Sequence, residues 1–401
     1  MNWIDFTKLI HSIYGQGMPD LEYIQKLGLL AVKLGQVHAL RIDFLSRDKC
    51  EHLAKLYRRN ATLPKENFRN LLQLKGKENL IEQFSYIDDT PLASASIGQV
   101  HKAKLKNGAD VVIKAVKGNY KDNFKKDVRS LQKLFKLIIL FYPKLKKVAN
   151  PLGILKDIEE YTISELNLTH EVTGRKELKR IFDELKGKID LEKLDFFTIY
   201  EDLSNEDILV SEYIEGETFD ELLDKNKLPY DLLLDLFFVH GTYMFVAGTF
   251  HGDIHPGNVI YSHNKLYFVD TGSVSKVSDK IRLGLFNFFD ALSCDDIPAT
   301  AKALESMSEN RLTEAGYKVF ESKFSDIYKE FANKTVSQIS LTRKMMETIK
   351  LGVNSGMNFG QDMFPIIRSL MYMDGMVLKC NPNAVLLKDM RQFITLFKKL
   401  V

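Results

Sequence analysis

Between Phe250 and Gly272 the chain carries a run of residues that few folds can accommodate. Phe250-His-Gly-Asp-Ile-His-Pro-Gly-Asn-Val-Ile260 is followed by the apolar run Leu266-Tyr-Phe-Val and then by Asp270-Thr-Gly272. Pro256-Gly257 forces a turn, and Val259-Ile260 and Leu266 to Val269 read as two strands of a hairpin around His263-Asn264. A loop anchored on a hairpin holds its polar groups still, and here those groups are Asp253, Asn258 and Asp270. Two carboxylates and an amide in this order suit phosphoryl transfer. Asp253 would orient or deprotonate a nucleophile, while Asn258 and Asp270 would bind the Mg²⁺ that neutralises the phosphates. Because His251, Asp253 and His255 alternate, a metal centre of imidazole and carboxylate is an alternative, and so is a polar hairpin without chemistry.

Phosphoryl transfer makes further demands upstream: a phosphate-covering loop, a strand lysine and a helix glutamate. Phe84 to Ile87 and Val100 to Leu105 read as strands around Pro91-Leu-Ala-Ser-Ala-Ser-Ile-Gly-Gln99, and Asn107-Gly108 supplies a tight turn into Ala109 to Val116. The small residues Ala93, Ser94, Ala95 and Ser96 would let backbone approach phosphate oxygens, and Lys114 follows the Val-Ala-Ile-Lys pattern that binds the α and β phosphates. Taken alone, Lys114 would be an ordinary edge-strand lysine. Ile154 to Phe182 is read as one long amphipathic helical segment containing Glu165, Asn167 and Glu171; spacing by itself does not select which glutamate pairs with Lys114. Strands are expected at Phe196 to Tyr200 and Ile208 to Tyr213, with Glu215-Gly216 as a hinge into helices. That junction, including Glu212 and Ile214, is where an adenine would bind through backbone groups.

The first 80 or so residues show apolar positions at helical spacing, among them Ile4, Leu9, Leu27, Leu30, Leu53, Leu56 and Leu72. Within them Lys33 and Gln36 share a helix face and could reach one pocket, although a lysine and a glutamine three apart also describe a solvated face. Tyr120 to Val148 reads as a basic helix with nine lysines or arginines against Asp122 and Asp127. Such a stripe could rest on anionic lipid or be plain solvated surface. A net charge of +3 on 401 residues is too mild to imply nucleic acid, and no aromatic and basic reading surface is present. Cys50, Cys294 and Cys380 are far apart and lack CxxC spacing, which favours a reducing compartment over a disulfide framework or zinc.

A membrane span needs about 20 predominantly apolar residues. Leu232 to Phe250, interrupted by Asp235 and His240, reads instead as a helix buried in protein, and no transmembrane segment is expected. With no signal or transit pattern at Met1-Asn-Trp-Ile-Asp-Phe, cytoplasmic placement is the default expectation.

Taken together, Pro91 to His101, Lys33-Leu-Gly-Gln36 and His251-Gly-Asp-Ile-His-Pro-Gly-Asn258 resemble the UbiB/ADCK family of atypical protein-kinase-like proteins, over roughly residues 25 to 280. The resemblance implies an α+β, bilobal protein-kinase-like fold with a helical extension at 1–83 carrying the Lys-x-Gly-Gln motif. An N-lobe with a helical insert would follow at 84–213, and a mostly helical C-lobe at 214–401. It implies that Ala93, Ser94, Ala95 and Ser96 cover the nucleotide in place of a glycine-rich loop. Lys114 would be the strand lysine, Glu171 its helix partner, Asp253 the catalytic aspartate, and Asn258 and Asp270 the metal ligands.

Lys33 and Gln36 would lie on a regulatory helix that folds over the active site and blocks a protein-substrate cleft. The partnering Glu-x-Asp motif is matched by Glu165-Leu-Asn167, where the second acid is Asn, so that one charge contact to Lys33 or to metal is weakened or lost. ATP and Mg²⁺ are the implied cofactors. The implied activity is slow ATP hydrolysis or phosphoryl transfer linked to isoprenoid quinone metabolism, acting on a lipid-like quinone precursor. Many bacterial relatives end in a transmembrane hairpin; without one, membrane contact would be peripheral, at the inner membrane, through the 120–148 basic segment. The alternatives are a small-molecule phosphotransferase of the aminoglycoside or choline kinase type, which shares a similar His-Gly-Asp loop but not the Lys-x-Gly-Gln helix, and a nucleotide-binding scaffold without useful catalysis.

Overall fold

The computed structural model describes residues 3–39, 45–57, 65–94, 98–117, 120–142, 151–331, 333–360 and 362–401. The chain divides into two compact units, Met1–Val172 with Phe197–Tyr213, and Thr173–Phe196 with Ile214–Val401.

The first unit opens with helices α1 (Trp3–Tyr14), α2 (Leu21–Lys26), α3 (Leu29–Ala39), α4 (Arg47–Ala54) and α5 (Lys65–Lys75), as the helical spacing predicts. An antiparallel sheet follows, built from β1 (Phe84–Ser94), β2 (Gly98–Leu105), β3 (Asp110–Val116) and, after β4 (Leu194–Asp195) of the second unit, β5 (Ile208–Glu212), in the order β1-β2-β3-β5. The Asn107-Gly108 turn forms as expected, with Gly108 N–H donating to the Leu105 carbonyl at 2.9 Å. Side chains alternate across a strand, so Val111, Ile113 and Ala115 enter a core with Phe68, Leu72, Ile87, Ile208 and Val210. Lys114 consequently projects from the opposite face. A second core joins the N-terminal helices to α6 (Tyr120–Phe141) and α7 (Pro151–Glu165), through Leu9, Ile13, Leu30, Leu53, Phe124, Val128, Leu131 and Leu155.

Three expectations are corrected here. Strand β1 does not stop at Ile87 but runs to Ser94, with its register against β2 shifting between Ile87 and Pro91, an irregularity that accommodates the missing proline N–H. Ala93 and Ser94 are therefore strand residues, and Ala95 and Ser96 lie outside the described residues. The single long helix expected over 154–182 is two helices, α7 and α8 (Thr169–Leu185). Asn167 breaks it: its Oδ1 accepts from the Thr169 N–H at 3.1 Å and the Thr169 hydroxyl at 2.7 Å, which starts a new helix in place of continuing the old one. Phe196 to Tyr200 does not form a strand. Asp195 Oδ1 takes the Phe196 N–H at 2.8 Å, and Ile199 makes only an isolated bridge to Ser211. Of the basic segment, α6 covers 120–141, and Lys144, Lys146 and Lys147 lie outside the described residues.

In the second unit, β4 (Leu194–Asp195), β9 (Lys265–Phe268), β8 (Val259–Ser262) and β6 (Glu217–Thr218) form one sheet in that order, and β7 (Thr249–His251) pairs with β10 (Val274–Lys276). The expected hairpin is β8–β9. His263 and Asn264 both take left-handed φ values, 46° and 62°, the tight-turn geometry that matches strand twist. The two- and three-residue strands β4, β6, β7 and β10 are too short to show alternation in sequence.

Helices α9 (Phe219–Asp224), α10 (Tyr230–Gly241), α11 (Asp279–Ser293), α12 (Ile297–Met307), α13 (Glu314–Tyr328), α14 (Leu341–Asn354), α15 (Met363–Cys380) and α16 (Leu386–Phe397) complete the unit. The apolar stretch from Leu232 is helical and buried as expected, but it loosens into a π-helix over Thr242–Ala247 and ends at Gly248, whose φ of 69° turns the chain into β7. Tyr230–Ala247 is the one helix among the described residues long and apolar enough to cross a membrane, and 61% of that window is buried within the protein.

Candidate functional site

His251 is wholly buried at the end of β7, and its ring organises the loop that follows. Nε2–H donates to the Val269 carbonyl at 2.9 Å, and Nδ1 accepts the Asp253 N–H at 3.2 Å. Burial lowers the pKa of this imidazole, so it stays neutral and fixes one tautomer. With both nitrogens bonded to backbone, His251 has no lone pair left for a metal, and His255 Nδ1 is likewise taken up by the Gly257 N–H at 3.0 Å. His251 is thereby removed as a metal ligand.

The loop then turns on its own groups. The Asn258 amide donates Nδ2–H to the Asp253 carbonyl at 2.9 Å, which brings Asp253 and Asn258 together and directs the Asn258 Oδ1 elsewhere. Asp253 Oδ1 is buried and accepts no hydrogen bond among the described residues. Arg368 Nε lies 3.7 Å from it and donates to the Gly252 carbonyl at 2.8 Å. Arg368 escaped the sequence reading because it sits on α15, more than a hundred residues downstream, with no local pattern to mark it.

Asp270 follows β9 in the left-handed conformation, φ 56° and ψ 46°, which an aspartate adopts only at some strain. The next turn is braced by α8: a Cβ at Gly174 would stand 2.0 Å from the Thr271 carbonyl oxygen, so only glycine allows this approach. Among the described residues no group of three or more His, Cys, Asp or Glu could hold a metal unaided. The oxygens on offer here are carboxylate and amide oxygens, the donor type that Mg²⁺ takes in small number while phosphates supply the rest.

In the first unit, the Lys114 ammonium meets the Glu171 carboxylate at 2.5 Å, both side chains largely buried. Lys33, expected either in a pocket or on a solvated face, is buried: its ammonium bonds Glu165 and lies 5.5 Å from the centre of the Tyr161 ring. Gln36 is buried as well and donates to the Leu56 carbonyl at 3.1 Å. Between them Gly35 lets α3 press onto Leu56, whose Cδ1 a Cβ there would meet at 2.5 Å. Asn167 acts locally, as the start of α8. Of the expected adenine-binding positions, Glu212 closes β5 with its carboxylate accepting the Thr198 N–H at 2.9 Å, and Ile214 begins the second unit.

A second lysine was not foreseen. Lys117, just past the end of β3, is buried and donates to the Ser94 hydroxyl at 2.7 Å. Burial pulls its pKa down from 10.5 to about 8. Between these values the unfolded chain holds a proton that the folded chain has released, so this group makes stability rise with pH across that window; below about pH 8 both states are charged and the full burial penalty persists. Lys117→Met removes the titrating group. The stability difference between variant and wild type, measured by urea unfolding at pH 7 and pH 10, is expected to change in the wild type's favour by about 2 kcal/mol at the higher pH.

Three comparisons bear on this arrangement. A family model described as the ABC1 atypical kinase-like domain matches residues 55–304. Similar proteins include a probable protein kinase UbiB of Aeromonas hydrophila, 27% identical over 92% of this chain and 68% of its own length. An uncharacterized chloroplastic aarF domain-containing protein kinase of Arabidopsis thaliana is 24% identical over 92% of this chain and 72% of its own. Among solved structures, the complex of Rv3197 with erythromycin from Mycobacterium tuberculosis aligns with a TM-score of 0.51 at 19% identity, covering 88% of this chain and 91% of that one, a likeness of fold. The fold is accordingly a kinase-like domain of mixed helix and sheet. Because the family model spans more than half of the 401 residues, the chain belongs to the ABC1 atypical kinase-like family, alongside the UbiB and aarF-domain kinases.

Proposed function

We propose that this protein binds ATP with Mg²⁺ and hydrolyses it or transfers its terminal phosphoryl group, in support of isoprenoid quinone biosynthesis. The observation that carries the reading is the buried Lys114–Glu171 ion pair at 2.5 Å. A lysine on a central strand, held by a helix glutamate, is the device by which kinase folds present a cation to the α and β phosphates. Ser94 and its small neighbours from Ala93 to Ser96 would cover the nucleotide, and backbone groups at Glu212 and Ile214 would hold the adenine. Asp253, whose buried Oδ1 makes no hydrogen bond among the described residues, suits the role of base or orienting group for the acceptor.

Asn258 and Asp270 would hold the magnesium, which supplies charge neutralisation at the phosphates. Lys33, Gln36, Glu165 and Asn167 are assigned a regulatory part. With Lys33 already paired to Glu165 and Asn167 engaged at the start of α8, regulation here would run through a single acid. The UbiB name of several relatives supports the quinone part of the reading, with a lipid-like or small phenolic acceptor.

The test is ADP release by the purified full chain with and without Mg²⁺, repeated with added polyprenyl phenols. Magnesium-dependent release that the phenols stimulate is expected. Failure to release ADP, together with no thermal shift on adding Mg-ATP, would overturn the proposal; a thermal shift without release would reduce the protein to a nucleotide-binding scaffold.

A further inference from the structure

The second unit buries two polar side chains that phosphoryl transfer does not use. Asp374, on α15, is answered on one side only. Its Oδ2 accepts the Ser340 hydroxyl at 2.7 Å and the Thr342 N–H at 3.3 Å, at the first turn of α14, where helix N–H groups favour a negative charge. Its Oδ1 is buried and has no hydrogen-bond partner among the described residues. His240, on α10, is wholly buried, and neither ring nitrogen has a partner among the described residues. Burial pulls the pKa of this imidazole down to about 3, so the ring is neutral, with one N–H to give and one lone pair. Buried polar groups in native proteins are nearly always met, by protein or by ordered water. These two meet at one cavity of about 20 Å³, whose remaining wall is mostly apolar and includes Phe237, Phe245, Leu370 and Met390. A wholly apolar cavity stays dry, but one with a donor and an acceptor in its wall needs only about 10–15 Å³ to take the centre of a water molecule.

We infer that this cavity is a site for one ordered water, which accepts the His240 N–H and donates to Asp374 Oδ1, and that the bridge braces the polar loop after β7 from behind. The second ring nitrogen keeps its lone pair unused. The volume admits no organic molecule, and the first turn of α14, which already takes up the Asp374 charge, disfavours a cation. The bridge joins α10 to α15, and each of these helices also touches the loop or its strand. Between one and two turns before Asp374 on the same helix, Arg368 donates to the Gly252 carbonyl at 2.8 Å and the Ser369 hydroxyl to the His251 carbonyl at 3.5 Å. From α10, the His240 ring stands edge-on to Phe250 with centres 5.7 Å apart. His240 is therefore a positioning residue: the water it holds fixes both supports of residues 250–253 against each other. The inference does not depend on nucleotide chemistry, and its readouts are independent of ATP turnover.

The direct test is a high-resolution crystal structure of the full chain. Expected is one water within about 2.7–3.2 Å of both Asp374 Oδ1 and a His240 nitrogen, missing in H240F. That variant strands Asp374 Oδ1 and should lower the melting temperature by about 3–8 °C. D374N offers the water a donor where it needs an acceptor and should also melt lower, while H240F/D374N should lose less than the two shifts added, because both depend on the same water. The Gly252 and Asp253 amides, bonded to the Ser273 carbonyl and to His251 Nδ1, should exchange with deuterium at least about tenfold faster in H240F. A dry cavity, a direct Asp374–His240 hydrogen bond, or additive losses in the double variant would overturn the water site, and unchanged amide exchange would overturn the bracing role. A melting temperature higher in KCl or NaCl than in tetramethylammonium chloride of equal ionic strength would overturn it in favour of a monovalent cation. Should H240F fail to fold, the wild-type crystal structure and the exchange rates of D374N decide the same two points.

Discussion

Asp270→Gly is expected to remove magnesium-dependent ATP hydrolysis, by about 10³-fold, while leaving the protein folded. The loss follows from deleting the carboxylate proposed to hold the charge-neutralising ion; removal of one preorganised electrostatic partner in such a site typically lowers turnover by two to three orders of magnitude, or about 3–4 kcal/mol. The intact fold follows from backbone geometry. Asp270 holds φ 56° and ψ 46°, a conformation that glycine takes without penalty and that other residues adopt at about 1 kcal/mol or more. Asp270→Ala should therefore be equally inactive yet less stable than Asp270→Gly by about 1 kcal/mol. Activity assays and melting curves on the two variants separate the parts: equal stability of the two would contradict the strain, and retained turnover in either would contradict the metal role.

The largest stability change is expected at Lys33→Met. Lys33 and Glu165 form an ion pair with side-chain exposures of only 7% and 20%. Removing one member of a buried pair leaves the other charge in poor solvent, at about 3–5 kcal/mol when burial is complete. Glu165 retains some water, so the effect here should be about 2–4 kcal/mol, read as a lowered urea midpoint. The double variant Lys33→Met/Glu165→Leu should recover most of that loss, because it deletes the stranded carboxylate as well. A double variant no more stable than Lys33→Met would show that packing against Tyr161 and Leu56, rather than the ion pair, holds α3 in place.

These two sites show how differently information is written along the chain. The local structure of the Asp253 to Asp270 region and of strand β3 was legible because each part is local. Pro256-Gly257 sets a turn, His263-Asn264 takes the two left-handed conformations of a tight hairpin, and alternation in β3 sends Val111, Ile113 and Ala115 one way and Lys114 the other. Lys33 was not legible in the same sense. Its neighbours on α3 describe either a surface or a pocket, and the deciding partner, Glu165, is 132 residues away.

The pairing of Lys114 with Glu171 came from family resemblance, not from spacing, and Lys117 and Arg368 carried no signal at all. The break at Asn167 was missed for a related reason. Apolar periodicity continues across it, and only the side chain's capture of the Thr169 groups shows that the helix restarts.

By itself, then, the sequence determined the elements whose stability comes from neighbours within a few positions: the helices of the first 80 residues, the hairpin and its polar loop, and the strand that carries Lys114. Tertiary structure decided which charges are buried and with whom. Burial and pairing join segments well beyond local range, from 23 positions apart at Lys117 and Ser94 to 132 at Lys33 and Glu165, and the free energy that joins them, desolvation against a specific partner, leaves no periodic trace in the local sequence.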